Sequence, residues 1–338
     1  MPETQRTIRL GTRGSDLALA QADMLTEALL EAHPGLNIER KIITTTGDIN
    51  QKPLPRRKKS ETASTAASKT APLDKSAFTK ELETALADNE IDIAVHSLKD
   101  VPTEIDSAFS LAGCLPRGAV EDVYVTRRQL PGGIKDAPEN WIIGTSSVRR
   151  ERLIREVNPH VQIKPLRGNV PTRLRKLAYG GGHLHGIVLA RAGLERLGYQ
   201  PASGWVFYEG REMYGIIQDP DEFVPAACQG AIGFEIRSDD FDSAFLLDSV
   251  NHAYSWARVR CERHFLALLQ AGCQTPIGIH TTPTDKGDAL RARAAVFPED
   301  DPTAPATHIE AVGSPRDPEG LAAALFEIYQ RARSFEQP

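Results

Sequence analysis

The sequence predicts an α/β protein made of two similar lobes, followed by a smaller α+β domain. Short apolar runs alternate with helical periodicity through the first two hundred residues. A strand-to-helix turn near the start, LGTRGS at 10–15, is echoed by IGTSSV at 143–148. At 338 residues the chain also exceeds one ordinary hydrophobic core. The expected division is 1–116 with 216–238 for the first lobe, 117–215 for the second, and 239–338 for the C-terminal domain.

Each element has a local reason. Thr7–Leu10 reads as a strand, and Ser15 is placed to cap a helix with Leu17, Met24, Ala28 and Leu29 on one face. His33-Pro34-Gly35 stops that helix, and Asn37–Thr44 is the next strand, so the chain opens on a βαβ unit and a parallel sheet. A helix over about 76–87 and a strand over 91–95 follow, the strand running into HSLKD. Between them, residues 51–73 are rich in Lys, Arg, Ser, Thr, Ala and Pro, a composition expected of a long loop outside any core. After a crossing near 116–120 the alternation restarts. Trp141–Ile143 is a strand, GTSSVRR a turn and Glu151–Val157 a helix. Val161–Leu166 is a strand, and RGNVPTRL opens a helix with Pro171 in its first turn. His185–Ala190 and a helix through Arg196 complete the lobe. Phe223–Ile236 is expected to return to the first lobe as a strand, and a long helix over 255–270 leads to the turn AGCQTPIG.

Composition removes several function classes. A net charge of −5 and a pI near 6.0 argue against nucleic acid as a partner. No apolar run is long enough to span a membrane, and the N-terminus lacks the apolar centre of a secretory signal. Cys114, Cys228, Cys261 and Cys273 show no metal-ligand spacing, so no metal is expected, and free thiols suit a reducing, cytoplasmic setting.

The chemistry gathers where strands give way to helices, which is where open α/β sheets bind ligands. Arg13 and Ser15, then Ser97, Lys99 and Asp100, then Ser146, Ser147, Arg149 and Arg150, then Arg167 and Arg173 all fall there. Residues 144–176 carry nine Lys/Arg against two Asp/Glu in a chain that is acidic overall. Several of these arginines open a helix, where the macrodipole disfavours cations. That pattern suits a modest-sized ligand with several carboxylates or phosphates, held by guanidinium forks and helix N–H groups. The alternative is a solvated face with scattered ion pairs. Asp100 would repel such a ligand unless a cation forms during reaction; otherwise it caps the backbone before Val101-Pro102. His96 fits a packed strand-end histidine better than a catalyst. Cys273 alone has the turn setting of a covalent attachment point, with a buried inert thiol as the alternative for every cysteine.

Taken together, these segments resemble the porphobilinogen deaminase family. The matches run in order: IRLGTRGSDLALAQ at 8–21, TTTGD at 44–48, KSAFTKELE at 75–83, AVHSLKDVPT at 94–103 and IGTSSVRRERL at 143–153. LRGNVPTRLRKL at 166–177, ARAGLERLG at 190–198, PAACQGAIGFEIR at 225–237 and ERHFLALLQAGCQTPIG at 262–278 complete them.

The resemblance implies a three-domain transferase of tetrapyrrole and haem synthesis, whose first two lobes look like periplasmic ligand-binding proteins. It implies a dipyrromethane cofactor in thioether linkage to Cys273. Four porphobilinogen molecules would be deaminated and joined head to tail on it, and hydroxymethylbilane released by hydrolysis. Carried over by motif position, Asp100 is the catalytic carboxylate. Ser97, Lys99, Ser146, Arg149, Arg150, Arg173 and Lys75 accompany the cofactor, and Arg13, Ser15, Arg167, Arg196, Phe78 and Lys80 the substrate. A cytoplasmic monomer without membrane or nucleic-acid partner is expected. Ala271, Cys228, Arg191 and the stretch Gly118-Ala119-Val120 depart from the family pattern. A two-lobed anion-binding protein without chemistry and an inactive homologue are the competing readings; Asp100 and Cys273 speak against the first.

Overall fold

The structure, a computed structural model, describes residues 7–45, 79–180, 183–271 and 275–336. The chain begins with β1 (Thr7–Arg13), α1 (Asp16–Ala32), β2 (Asn37–Ile43), α2 (Lys80–Ala87), β3 (Ile93–Ser97) and β4 (Phe109–Cys114). It crosses to β5 (Asp122–Thr126), β6 (Ile142–Gly144), α3 (Val148–Val157), β7 (Gln162–Lys164), α4 (Val170–Tyr179), β8 (Gly186–Ala190), α5 (Arg191–Arg196), β9 (Trp205–Tyr208) and β10 (Arg211–Ile217). It returns through β11 (Ile232–Arg237) and α6 (Phe241–Asp248). It then builds α7 (Ala253–Leu268), β12 (Ile277–Pro283), β13 (Leu290–Val296), β14 (Thr307–Gly313) and α8 (Pro318–Glu336).

Three sheets result, with strand orders β2-β1-β3-β11-β4, β7-β6-β8-β5-β10-β9 and β12-β13-β14. The α/β architecture with a smaller C-terminal sheet is as expected, but the two large sheets are mixed rather than parallel. In each, the strand beside β3 or β8 arrives from the other lobe and runs antiparallel: β11 against β3, and β5 against β8. The lobes are therefore joined by two crossing segments, 115–121 and 218–231. Gly118 N donates to Gly230 O (3.1 Å), tying one crossing to the other. Gly230 has φ +85°, and a Cβ there would lie 2.6 Å from the carbonyl oxygens of Gly118 and Ala119. Only glycine fits that approach.

The turns form as their sequences suggest. Ser15, Ser147 and Asn169 each accept a hydrogen bond from the amide three residues on, capping α1, α3 and α4. Several expectations shift. β1 runs on through Gly11-Thr12-Arg13, paired with β2 as far as Ile43, so Arg13 ends the strand. Helix α3 starts at Val148, putting Arg149 and Arg150 in its first turn. The buried face of α1 is Gln21, Ala22, Leu25 and Leu29, and Met24 is 38% exposed; the Ala22–Leu25–Leu29 stripe wins because it meets Ile8, Leu10, Val95 and Phe234. The segment 223–231 is crossing rather than strand, and β11 begins at Ile232. Finally, α6 lies on the first sheet, with Leu247 sharing a core with Leu115, Ile232 and Phe234. The helix that packs on the C-terminal sheet is α7.

Candidate active site

The turn after β3 carries Ser97 at the strand end and Leu98–Asp100 as a single 3₁₀ turn. Leu98 anchors it, packed so closely over Gly233 that a Cβ there would lie 2.3 Å from Leu98 Cδ2. The two polar side chains that follow are therefore fixed at the mouth of the sheet. Asp100 is half-buried and, among the described residues, accepts no hydrogen bond and joins no ion pair; it does not cap the backbone. It lines a small cavity of about 60 Å³ with Arg13, Ser15, Gln21, His96 and Ser97. Gln21 is buried there with its Nε2 unpartnered. His96 is a packed histidine, its Nε2 lying 2.9 Å from Glu235 Oε2.

Lys99 makes no hydrogen bond among the described residues. Burial pushes its pKa down to about 8; Asp100 and Asp122 oppose that shift, while Arg150 and Arg149 reinforce it. Lys99 and Asp100 of the first lobe thus sense the charges of the second, and Arg173 in turn senses Asp100.

On the facing side, Arg149 and Arg150 are buried and already partnered. Arg149 donates to Asp122 Oδ2 (2.7 Å) and Val224 O (2.7 Å). Arg150 donates to Asp122 Oδ1 through Nε (3.1 Å) and Nη2 (2.7 Å), and to Val188 O (3.0 Å). Burial alone would raise the Asp122 carboxyl, but the two guanidiniums hold it far below the usual carboxylate range. Arg173 spends only its Nε, on Gly168 O (2.7 Å), and has no acid partner among the described residues. Burial lowers its pKa to about 10; Arg150 adds to the shift and Asp100 opposes it. Arg196 donates to Gly230 O (2.6 Å), and burial likewise brings it to about 10.

The remaining expected residues divide. Ser15 and Arg13 line the cavity, Ser15 also serving as the α1 cap. Ser146 accepts from Leu166 N (2.9 Å), so its hydroxyl fastens the turn. Arg167 and Lys80 are exposed. Lys75, Phe78, Cys273 and the 51–73 loop lie outside the described residues.

The departures also resolve. Arg191 finds two carboxylates, Glu121 (3.0 Å) and Glu195 (2.7 Å). Cys228 has φ +59°, a left-handed conformation that glycine adopts more readily than cysteine. Gly118, on the outgoing crossing, donates its N–H to Gly230 O on the returning one. Ala271 N bonds Leu266 O (3.0 Å), closing the end of α7.

Two acids were missed by sequence reasoning. Asp122 could have been sought as the counterion that two buried arginines require. Glu262 is fully buried and takes a bidentate Arg117 (2.6 and 2.9 Å), Cys228 N (2.6 Å), and the amide and hydroxyl of Thr281 (2.8 and 2.9 Å). It pins both crossings to the C-terminal unit, and nothing local in its sequence marks it.

Counting the coupled charges, Lys99, Arg149, Arg150 and Arg173 face Asp100 and Asp122, a surplus of two positive charges. A buried surplus of that kind calls for an anionic ligand. Fold and site together define a two-lobed α/β protein with a buried surplus of positive charge suited to an anionic ligand, and with Asp100 beside it uncommitted among the described residues.

The porphobilinogen deaminase dipyrromethane cofactor-binding domain matches residues 8–244, and the porphobilinogen deaminase C-terminal domain matches 256–327. The porphobilinogen deaminase of Syntrophobacter fumaroxidans is 39% identical over 283 residues, covering 83% of this chain and 82% of that protein. That of Nitrobacter hamburgensis is 36% identical over 337 residues, covering 98% and 95%. Among solved structures, the periplasmic VFT2 domain of Bordetella pertussis BvgS superposes with a TM-score of 0.40 at 12% identity, covering 72% of this chain and 86% of that one. The chain belongs to the porphobilinogen deaminase family, transferases of tetrapyrrole synthesis.

Proposed function

We propose that this chain deaminates porphobilinogen, joins four units head to tail on a dipyrromethane held by Cys273 through a thioether, and releases hydroxymethylbilane by hydrolysis. The observation that carries the reading is Asp100, a carboxylate that accepts no hydrogen bond among the described residues, set among cations whose surplus suits acidic pyrroles. The dipyrromethane fits these residues because its carboxylates match that surplus. Ser97, Lys99, Ser146, Arg149, Arg150, Arg173 and Lys75 would hold it, and its chemical contribution is a nucleophilic pyrrole carbon. Arg13, Ser15, Arg167, Arg196, Phe78 and Lys80 would receive the incoming porphobilinogen. Support for Cys273 comes from the other thiols. Cys114, Cys228 and Cys261 are buried, and burial pushes Cys114 up to about 12 and Cys261 higher still, which leaves them poor nucleophiles.

The residues then divide the work. Arginines and Lys99 bind and orient the carboxylates. As the C–N bond of the substrate breaks and ammonia leaves, positive charge spreads over the pyrrole and its methylene carbon, and Asp100 offsets it. The group at Cys273 would supply the attacking carbon, and the proton displaced as the carbon–carbon bond forms would leave with ammonia as ammonium. Motion of the lobes about the crossings 115–121 and 218–231 would give successive units access. No helix among the described residues is long and apolar enough to cross a membrane. The reading takes the protein as a cytoplasmic monomer acting on a small molecule, without nucleic acid. Intact mass tests it: purified protein should exceed its sequence mass by two linked pyrroles, and Cys273→Ser should remove the increment. An active protein of unmodified mass would overturn the cofactor assignment.

A further inference from the structure

We infer that Asp122 is the positioning residue that sets the two arginines of α3 for anion binding and ties them to the crossing between the lobes. The inference rests on the proposed function, in which Arg149 and Arg150 hold the dipyrrole carboxylates. Adjacent arginines in one helical turn repel each other and the helix dipole, and left alone they would splay towards water. Asp122 prevents this. It is completely buried and takes one guanidinium on each carboxylate oxygen, Arg149 on Oδ2 and Arg150 on Oδ1. The backbone carbonyls Val224 O and Val188 O fix the other ends.

A fourth donor comes from outside the second lobe. Gln229, on the returning crossing, gives its Nε2 to Asp122 Oδ1 (3.0 Å) and to Val120 O (2.7 Å) on the outgoing one. Asp122 therefore begins β5 just where the chain enters the second lobe, and both crossings meet at its side chain. Its charge also reaches across the cleft, since it works with Asp100 to keep Lys99 protonated. The carboxylate touches no reacting atom in this arrangement. It acts through Arg149 and Arg150 by orienting them and by halving their combined charge.

The test separates charge from shape and loading from folding. In folded, purified Asp122→Asn the fraction of molecules carrying the dipyrrole mass should fall at least tenfold. Loaded molecules recovered by anion exchange should keep a KM for porphobilinogen within twofold of wild type. Asp122→Glu, which restores the charge, should load to within threefold of wild type. A purely structural role would lower yield and melting temperature without changing the loaded fraction of what folds. Normal loading of Asp122→Asn overturns the inference, as does an equal loss in Asp122→Glu. Should Asp122→Asn not fold, Gln229→Met removes one donor and leaves both arginine pairs in place. A threefold fall in its loaded fraction supports the inference, and unchanged loading overturns it. Wild-type protein that carries no dipyrrole and releases no ammonia sinks the functional reading instead. Positioning is then read from citrate: wild type should gain melting temperature in citrate and Asp122→Asn should not, whereas equal gains overturn it.

Discussion

Replacing Asp100 by asparagine removes one charge and almost no volume. The carboxylate accepts no hydrogen bond among the described residues, so no donor is orphaned and the fold should hold. On the proposed function, what is lost is the charge that would face a cation formed only during reaction. At about 4 Å and an effective dielectric of about 20, that attraction is worth ~4 kcal/mol. If it falls wholly on the transition state, the rate drops roughly a thousandfold. We therefore expect kcat to fall by about two to four orders of magnitude while KM changes little. The loss of Asp100 also removes the strongest influence holding up the Lys99 pKa, already down at about 8. In wild type, the ammonium that helps bind carboxylates is present below pH 8 and is lost as pH rises through it, so KM should rise on that alkaline limb. In Asp100→Asn the limb should move to lower pH. Steady-state ammonia release from pH 6 to 9, with circular dichroism to confirm folding, measures both effects. Near-normal kcat in a folded Asp100→Asn would refute the reasoning.

Further outcomes follow from the buried charges. Arg149→Ala or Arg150→Ala should cut dipyrrole loading, read by intact mass, because each charge-assisted bond to a carboxylate is worth about 1.5–3 kcal/mol. Glu262→Gln strips a buried bidentate arginine of its counterion and should cost about 3–5 kcal/mol in urea unfolding. Lys99 also makes global stability rise between about pH 8 and its ordinary 10.5, since the unfolded chain binds the extra proton there; Lys99→Met should flatten that rise in pH-dependent melting. Gly230→Ala should lower the melting temperature by several degrees, because its Cβ would meet two carbonyl oxygens at 2.6 Å.

The parts of this molecule legible in its sequence are those set by neighbours along the chain. Ser15 marks a helix start through a bond three residues away, and that cap forms; Ser147 and Asn169 cap α3 and α4 in the same local way. The arginine cluster was visible because its density breaks the acidic background. What the sequence hid depends on segments far apart. The antiparallel strands β5 and β11 enter each sheet from the other lobe, and local periodicity cannot tell a parallel neighbour from an antiparallel one. The face of α1 depended on which stripe met the sheet, and Met24 lost to Leu25. The shared partner of Arg149 and Arg150 was hidden because Asp122 is twenty-seven and twenty-eight residues away. Arg173 and Arg196 come closer to the expectation, each bonding only a backbone carbonyl among the described residues.

The most direct test of the account is a quench of the protein with limiting porphobilinogen under denaturing conditions, followed by peptide mass mapping. Chain growth on a fixed primer predicts a ladder of adducts on the peptide containing Cys273. The rungs should differ by one deaminated pyrrole unit, and one ammonia should appear per rung before hydroxymethylbilane is released. Reversible binding that leaves no adduct and releases no ammonia would contradict the account and make the protein an anion clamp.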